Sequence, residues 1–80
     1  MQPQELENYL QPRLSDCEVK VGGDDYHFLV TVIGDVFEDL NAVKKQQYVY
    51  KQLNELIADG TVHAVTIKTY TPTEWSALNS

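Results

Sequence analysis

Two strand-like runs separated by a helix-length amphipathic stretch constrain this chain more than any other feature. Residues 26–33 and 62–69 are rich in β-branched and aromatic side chains, whereas residues 42–59 repeat their apolar side chains at helical spacing. Val43, Tyr50, Leu53 and Ile57 form the expected inner stripe, widened by Val49 and Leu56, and Gly60 follows as the left-handed stop. A helix of that length between two strands of one sheet returns the chain to the end from which it set out. The two strands must then run parallel, and the right-handed crossover between neighbours places them side by side.

The remaining elements fit around that unit. Leu6, Tyr9 and Leu10 recur at i, i+3 and i+4 spacing after Pro3, which predicts an amphipathic helix over residues 3–11. Pro12 removes a backbone donor and crowds the carbonyl four residues back. The helix is therefore expected to end or bend near Gln11, with Leu14 packed beneath it. Residues 17–21 and 26–33 alternate across Gly22-Gly23-Asp24-Asp25, a hairpin signal. A two-residue turn at Gly23-Asp24 pairs Val21 with Tyr26, Val19 with Phe28 and Cys17 with Val30, leaving His27, Leu29, Thr31 and Ile33 on the opposite face. Residues 34–41 form a loop anchored by Phe37, with Asp39 or Asn41 available to cap the long helix. Beyond the last strand, Thr71-Pro72-Thr73-Glu74 is a capping box, and Tyr70 and Trp75 are spaced as a hydrophobic staple that opens a short closing helix. Phe28, Phe37 and Trp75 are read as core, because large aromatics dominate the packing of so small a domain. The order α-β-β-α-β-α gives an α+β domain with a mixed three-stranded sheet in the order 1-2-3 and helices packed on one face.

Eighty residues suffice for one small domain, residues 1–80, that buries about 60% of its unfolded surface. Twelve acidic side chains against six basic ones give a formal charge of −6, which opposes a general affinity for phosphate backbones. The single cysteine, Cys17, cannot form an intramolecular disulfide, and no apolar run of about 20 residues reads as a membrane span. A soluble cytoplasmic protein is expected. Enzymatic chemistry finds no constellation of groups. Cys17 and His27 are the obvious nucleophile and base, but the hairpin register sets them roughly 10 to 13 Å apart with their side chains on opposite faces. The acidic residues fall on turns and helix ends, and no glycine-rich phosphate loop is present, so neither catalysis nor a small-molecule substrate is expected.

Four segments carry a family resemblance. His27-Phe28-Leu29-Val30, Phe37-Glu38, the stretch Val43-Lys44-Lys45-Gln46-Gln47-Tyr48-Val49-Tyr50, and the run from Thr61 to Trp75 with His63 at the mouth of an apolar strand resemble, in order, the signature of the BolA family. The resemblance is greatest to its IbaG/YrbA-like subgroup, whose members are short and carry a compact turn before the histidine-phenylalanine pair. It implies a class II KH-like fold and a non-enzymatic adaptor that partners a monothiol glutaredoxin in iron-sulfur cluster binding, trafficking or iron sensing. In that arrangement a 2Fe-2S cluster is held by glutaredoxin and glutathione thiolates and, on this side, by His63. Histidine in place of thiolate raises a cluster's potential. Two histidines, one cysteine and no Cys-x-x-Cys pair cannot build a closed four-ligand site, so the isolated chain is expected to bind no cluster. Many family members carry a second ligand, a cysteine or histidine, in the loop between the first two strands, where this chain has Gly22-Gly23-Asp24-Asp25. That leaves His27, Asp24 or a group supplied by the partner, while Cys17 is expected to face the core.

A function of a different class, DNA-binding transcriptional regulation of stress or envelope genes, is also associated with the family through its KH-like and helix-turn-helix-like elements. Lys44, Lys45 and Lys51 occur with no acidic residue between Asn41 and Asn54, and Gln47, Tyr48 and Gln52 add donors and an aromatic platform. Against DNA binding, Glu38-Asp39-Leu40-Asn41 stands where a KH domain carries its phosphate-clamping G-x-x-G loop. The same lysines suit an acidic rim on a protein partner or a plain solvated face.

Overall fold

The computed structural model describes residues 1–24 and 26–79; Asp25, the last residue of the expected turn, lies outside the described residues. The elements follow as α1 (Pro3–Arg13), β1 (Glu18–Gly23), β2 (His27–Ile33), a 3-10 turn (Asp35–Asp39), α2 (Ala42–Ala58), β3 (Ala64–Tyr70) and α3 (Pro72–Leu78). At 1.5 Å per residue α2 is about 25 Å long, close to the roughly 23 Å that β3 spans, so it returns the chain to the end where β2 began. β2 and β3 accordingly pair in parallel, from His27 opposite Ala64 to Ile33 opposite Tyr70. β1 pairs antiparallel with β2, and the sheet order is β1-β2-β3. Of the two candidate caps, Asn41 holds α2: its Oδ1 accepts from the Lys44 amide at 2.9 Å. Gly60 ends the helix with φ +81°. Among the described residues no helix is long and apolar enough to cross a membrane.

α1 runs through Pro12 to Arg13 instead of ending at Gln11. The proline sits in the last turn, where it costs one donor, and the Leu14 amide still reaches Leu10 O at 2.9 Å. Keeping Gln11 helical places its side chain against β1. Gln11 Nε2 donates to Cys17 O at 2.7 Å, its Oε1 accepts from Val19 N at 3.1 Å, and Glu7 Oε1 accepts from Val21 N at 3.0 Å. These three bonds occupy the outer edge of β1 and of Cys17 just before it, which would otherwise be open to pairing with another chain.

The hairpin register differs from the expected one by four residues. Val21 stands opposite Val30 and Val19 opposite Val32, while Cys17 precedes the strand. An even slip leaves alternate side chains on the same face, so Val19, Phe28, Val30 and Val32 still line the core. The tip sets the register. Asp24 N donates to His27 O at 3.1 Å, and Asp24 Oδ1 accepts from the amides of Tyr26 and His27, both at 2.9 Å. Gly23 takes φ +93°, and a Cβ there would collide with the His27 carbonyl. A turn closed by the pair Asp24 and His27 thus replaces the expected turn at Gly23-Asp24, and the amides of Tyr26 and His27 hold the Asp24 carboxyl below its ordinary range.

α2 is rotated from its expected orientation. Val49 and Leu53 are buried and Leu56 and Ile57 partly so, but Val43 and Tyr50 are 64% and 38% exposed. Polar and aromatic side chains take the inner places instead. Gln46 Nε2 donates to Ile67 O at 3.0 Å, and Tyr48 meets the buried Phe37 edge-on with ring centroids 5.7 Å apart. Phe28 and Phe37 are core as expected, while Trp75 is half-buried. Trp75 lies 5.3 Å, centroid to centroid, from Tyr70. Tyr70 is in register with Ile33, which is buried yet stands outside the main core, so α3 covers one end of the alternate residues of the sheet. The capping box of α3 forms as read: Glu74 N donates to Thr71 Oγ1 at 3.1 Å and Thr71 N to Glu74 Oε1 at 2.8 Å.

Two outcomes check this packing. A Cβ on Gly34 would lie 2.6 Å from Cys17 Sγ. Gly34→Ala is expected to lower stability in urea by about 1–3 kcal/mol, and by less than half as much in a Cys17→Ala background; equal losses in both backgrounds would contradict the contact. Because the folded pKa of Asp24 is depressed, its stabilising contribution is present above the ordinary carboxylate value of about 4 and fades as pH falls through the folded value. The Tm difference between wild type and Asp24→Ala should be open at pH 7 and narrow progressively as pH falls below the ordinary carboxylate value. A difference unchanged at the lower pH would show that the carboxylate does not clamp the turn.

Candidate functional site

Parallel pairing brings the starts of β2 and β3 to one end of the sheet. β2 begins at His27, opposite Ala64, and His63 is the residue before Ala64. Asp24 closes the hairpin tip at the same end. The three candidate ligands are therefore neighbours in the fold although 38 residues of sequence intervene between the first and the last. His63 is held in place by what precedes it. Val62 is buried and its amide donates to Leu56 O at 3.1 Å, and Asp59 Oδ1 accepts from the Thr61 amide at 2.9 Å. The hydroxyl and then the amide of Thr61 keep the Asp59 carboxyl below its ordinary range. A Cβ on Gly60 would lie 3.8 Å from His63 Cε1, so the ring stands beside a residue without a side chain.

The two imidazoles differ. His27 Nε2 lies 2.7 Å from Thr66 Oγ1, the roles of donor and acceptor being set by the tautomer. His63 is exposed, and among the described residues no hydrogen bond or ion pair engages it. Asp24 already spends one carboxylate oxygen on two amides. Among the described residues no three His, Cys, Asp or Glu side chains are grouped so as to hold a metal ion. The arrangement offers one available imidazole, not a closed site.

Cys17 stands at the other end of the sheet, against Gly34, with β1 separating it from the hairpin tip. Six strand residues at about 3.3 Å each put it roughly 20 Å from His27, farther than the sequence reading allowed. Burial, with a smaller effect of Asp16, pushes the thiol pKa up. A buried thiol of raised pKa at that distance has no base to activate it.

The lysine-bearing helix divides in two. Lys44, Gln47 and Lys51 are exposed, whereas Lys45 is half-buried near Glu74 and Tyr48 is packed on Phe37, where burial pushes its hydroxyl pKa up. The Glu74 carboxyl is held low by the Thr71 amide and hydroxyl, with Lys45 adding to the effect. The exposed aromatic of this helix is Tyr50, next to exposed Val43, and both had been assigned to the core stripe. Their exposure follows from Gln46 turning inward to Ile67 O. Lys44 lies about 20 Å along the helix from its His63 end, at 1.5 Å per residue, so the lysines and the histidine are not one compact site.

Comparison with known proteins bears on the same residues. The sequence profile of the family described as BolA-like protein matches residues 3–74. The chain is 49% identical over 76 residues to the acid stress protein IbaG of Escherichia coli (strain K12), covering 95% of this chain and 90% of that protein. Its fold is similar to that of a bolA protein homologue from Coxiella burnetii, with a TM-score of 0.83 and 28% identity over 95% of this chain and 97% of that one. It is also similar to BolA1 from Arabidopsis thaliana, with a TM-score of 0.72 and 30% identity over 90% and 93% of the two chains. With the profile spanning nearly the whole chain and the α-β-β-α-β-α order and mixed sheet shared with these structures, the chain belongs to the BolA family.

Proposed function

We propose that this chain is a non-enzymatic adaptor that presents His63 to a monothiol glutaredoxin and takes part with it in binding and passing on a 2Fe-2S cluster, or in sensing iron through it. The observation that carries the reading is the contrast at one sheet end: His63 is exposed and unengaged, while His27 is bonded to Thr66 and Asp24 is committed to the turn. A single imidazole suits a site shared with a partner that supplies the other ligands. The remaining ligands come in this reading from glutaredoxin and glutathione thiolates, because the chain groups no further donors there. Histidine ligation gives such a cluster a higher potential than an all-cysteine set. For His27 to serve through Nε2 it must release Thr66, and for Asp24 to serve it must weaken the hairpin tip, so both stand behind His63.

The absence of catalysis rests on Cys17, whose thiol is buried, raised in pKa and remote from His27. The reading places the protein in the cytoplasm, where an unpaired cysteine is ordinary. Kinship with an acid stress protein of Escherichia coli extends to it a role in stress response. DNA binding is less well supported than the sequence suggested, since Tyr48 is no platform and two of the three helix lysines, Lys44 and Lys51, remain fully outward on a chain of formal charge −6.

Anaerobic titration of the protein into a cluster-loaded monothiol glutaredoxin, followed by visible circular dichroism, tests the assignment. A saturable spectral change is expected that is lost in His63→Ala and kept in His27→Ala. The same change in His63→Ala as in wild type would remove His63 as the ligand.

A further inference from the structure

We propose that the free edge of β3, with the side of α2 that borders it, is a self-association surface on which a second copy of this chain pairs antiparallel about a two-fold axis at Ile67. The proposal stands apart from the shared-cluster reading, since no cluster and no other protein is needed for it.

The two edges of the sheet are treated differently. The outward amides of Val19 and Val21 in β1 and the Cys17 carbonyl just before it are taken by Gln11 and Glu7 of α1. On β3 the Gly34 amide donates to Tyr70 O, so Tyr70, and with it Lys68 and Thr66, directs its backbone toward β2. Val65, Ile67 and Thr69 then direct theirs away from the sheet. Among the described residues one of these outward groups is engaged, the Ile67 carbonyl, by Gln46 Nε2 at 3.0 Å. A two-fold axis at Ile67 matches that set of groups to itself. Val65 of one copy stands opposite Thr69 of the other and Ile67 opposite Ile67, and each pair exchanges an N–H···O bond in both directions. The second lone pair of Ile67 O is left for the incoming amide. On the open face Thr66 meets Lys68, so no like charges stand directly opposite each other.

α2 favours a second copy over any other added strand. The bond to Ile67 O puts Gln46 level with the axis and on the edge side of the helix. At 3.6 residues per turn Val43, Gln47 and Tyr50 lie farther round on that side, all exposed, while Lys44 and Lys51 turn to solvent. Val43 precedes Gln46 by about 4.5 Å along the helix and Tyr50 follows it by about 6 Å. The two-fold therefore brings Val43 of each copy against Tyr50 of the other, and sets the two Gln47 amides side by side at the axis, where each can donate to its counterpart. Charge agrees with this pairing. A chain of formal charge −6 repels its copy wherever carboxylates meet, but β3 has none and α2 has none from Ala42 to Asn54. A charged peptide or a nucleic acid finds no fixed charge on the edge side of α2 to select it. Seven strand residues and three helix side chains per copy make a small interface, roughly 1,000 Å² in total, so the dimer forms and separates with concentration.

Sedimentation equilibrium of the full chain over about a hundredfold range of concentration tests this, with hydrogen exchange followed on the 15N-labelled protein. A monomer–dimer equilibrium is expected, and exchange at the Val65, Ile67 and Thr69 amides should slow by about tenfold or more at the concentrated end. Val43→Lys/Tyr50→Lys, which sets like charges against each other across the axis, should weaken the dimer about tenfold or more, and Val43→Lys/Tyr50→Glu should restore it. Both positions are exposed, so the fold is kept. Within one chain they are two turns apart, about 10 Å, so the rescue reports contact between copies. A chain that stays monomeric, a dimer that keeps its affinity in Val43→Lys/Tyr50→Lys, or one that Val43→Lys/Tyr50→Glu does not restore would overturn the proposal. Slowed exchange that spares the three β3 amides would overturn it too.

Discussion

The parallel pairing of β2 with β3 decides where the functional side chains fall. It follows from α2, whose length matches the strand it must run back along, so that β3 starts at the end where β2 started. That geometry carries His63 from the far side of a helix to the hairpin tip, beside His27 and Asp24. An antiparallel β3 would have put His63 at the Ile33 end, next to the buried Cys17, and no exposed imidazole would stand at the tip. The register also separates the two imidazoles, because placing Thr66 two residues along from Ala64 gives His27 Nε2 a hydroxyl at 2.7 Å and leaves His63 none.

Polar side chains from the helices complete the sheet. Gln11 and Glu7 bond the outward amides of Val19 and Val21 in β1 and the Cys17 carbonyl just before it, and Gln46 bonds one outward group of β3. In a three-stranded sheet both outer strands are edges, and an open edge invites pairing with another chain. The long α1 continues through Pro12, and so the side chain of Gln11 stays within reach of the strand. The thinner cover of β3 leaves the larger share of its outward backbone groups unsatisfied, next to the exposed Val43 and Tyr50.

Much of the fold was legible because its signals are local. The Asn41 cap, the Gly60 stop and the Thr71-Glu74 capping box each depend on a few adjacent residues, and the crossover argument then orders the sheet. The register of the hairpin was not, since glycine suggests a tight turn and the competing carboxylate bonds of Asp24 have no pattern of their own. The slip was even, so Val19, Phe28 and Val30 stayed on the core face, whereas Tyr26, expected there opposite Val21, falls at the hairpin tip and is 82% exposed. The face of α2 was misread for a related reason: hydrophobic spacing ranks Val43 and Tyr50 above Gln46, but a glutamine that finds a strand carbonyl outweighs an apolar side chain left at the margin. His63 entered as a candidate through family resemblance alone. What distinguishes it from His27 is a cross-strand hydroxyl, which a single sequence cannot place.

The account turns on one imidazole being engaged and the other available in the free protein. Long-range 1H–15N NMR spectra of both rings, in wild type and in Thr66→Val, test this directly. The ring nitrogen shifts of His27 should change on losing the hydroxyl while those of His63 stay where they were. A His63 that responds as His27 does, or a His27 indifferent to Thr66→Val, would contradict the division of the two histidines on which the functional reading stands.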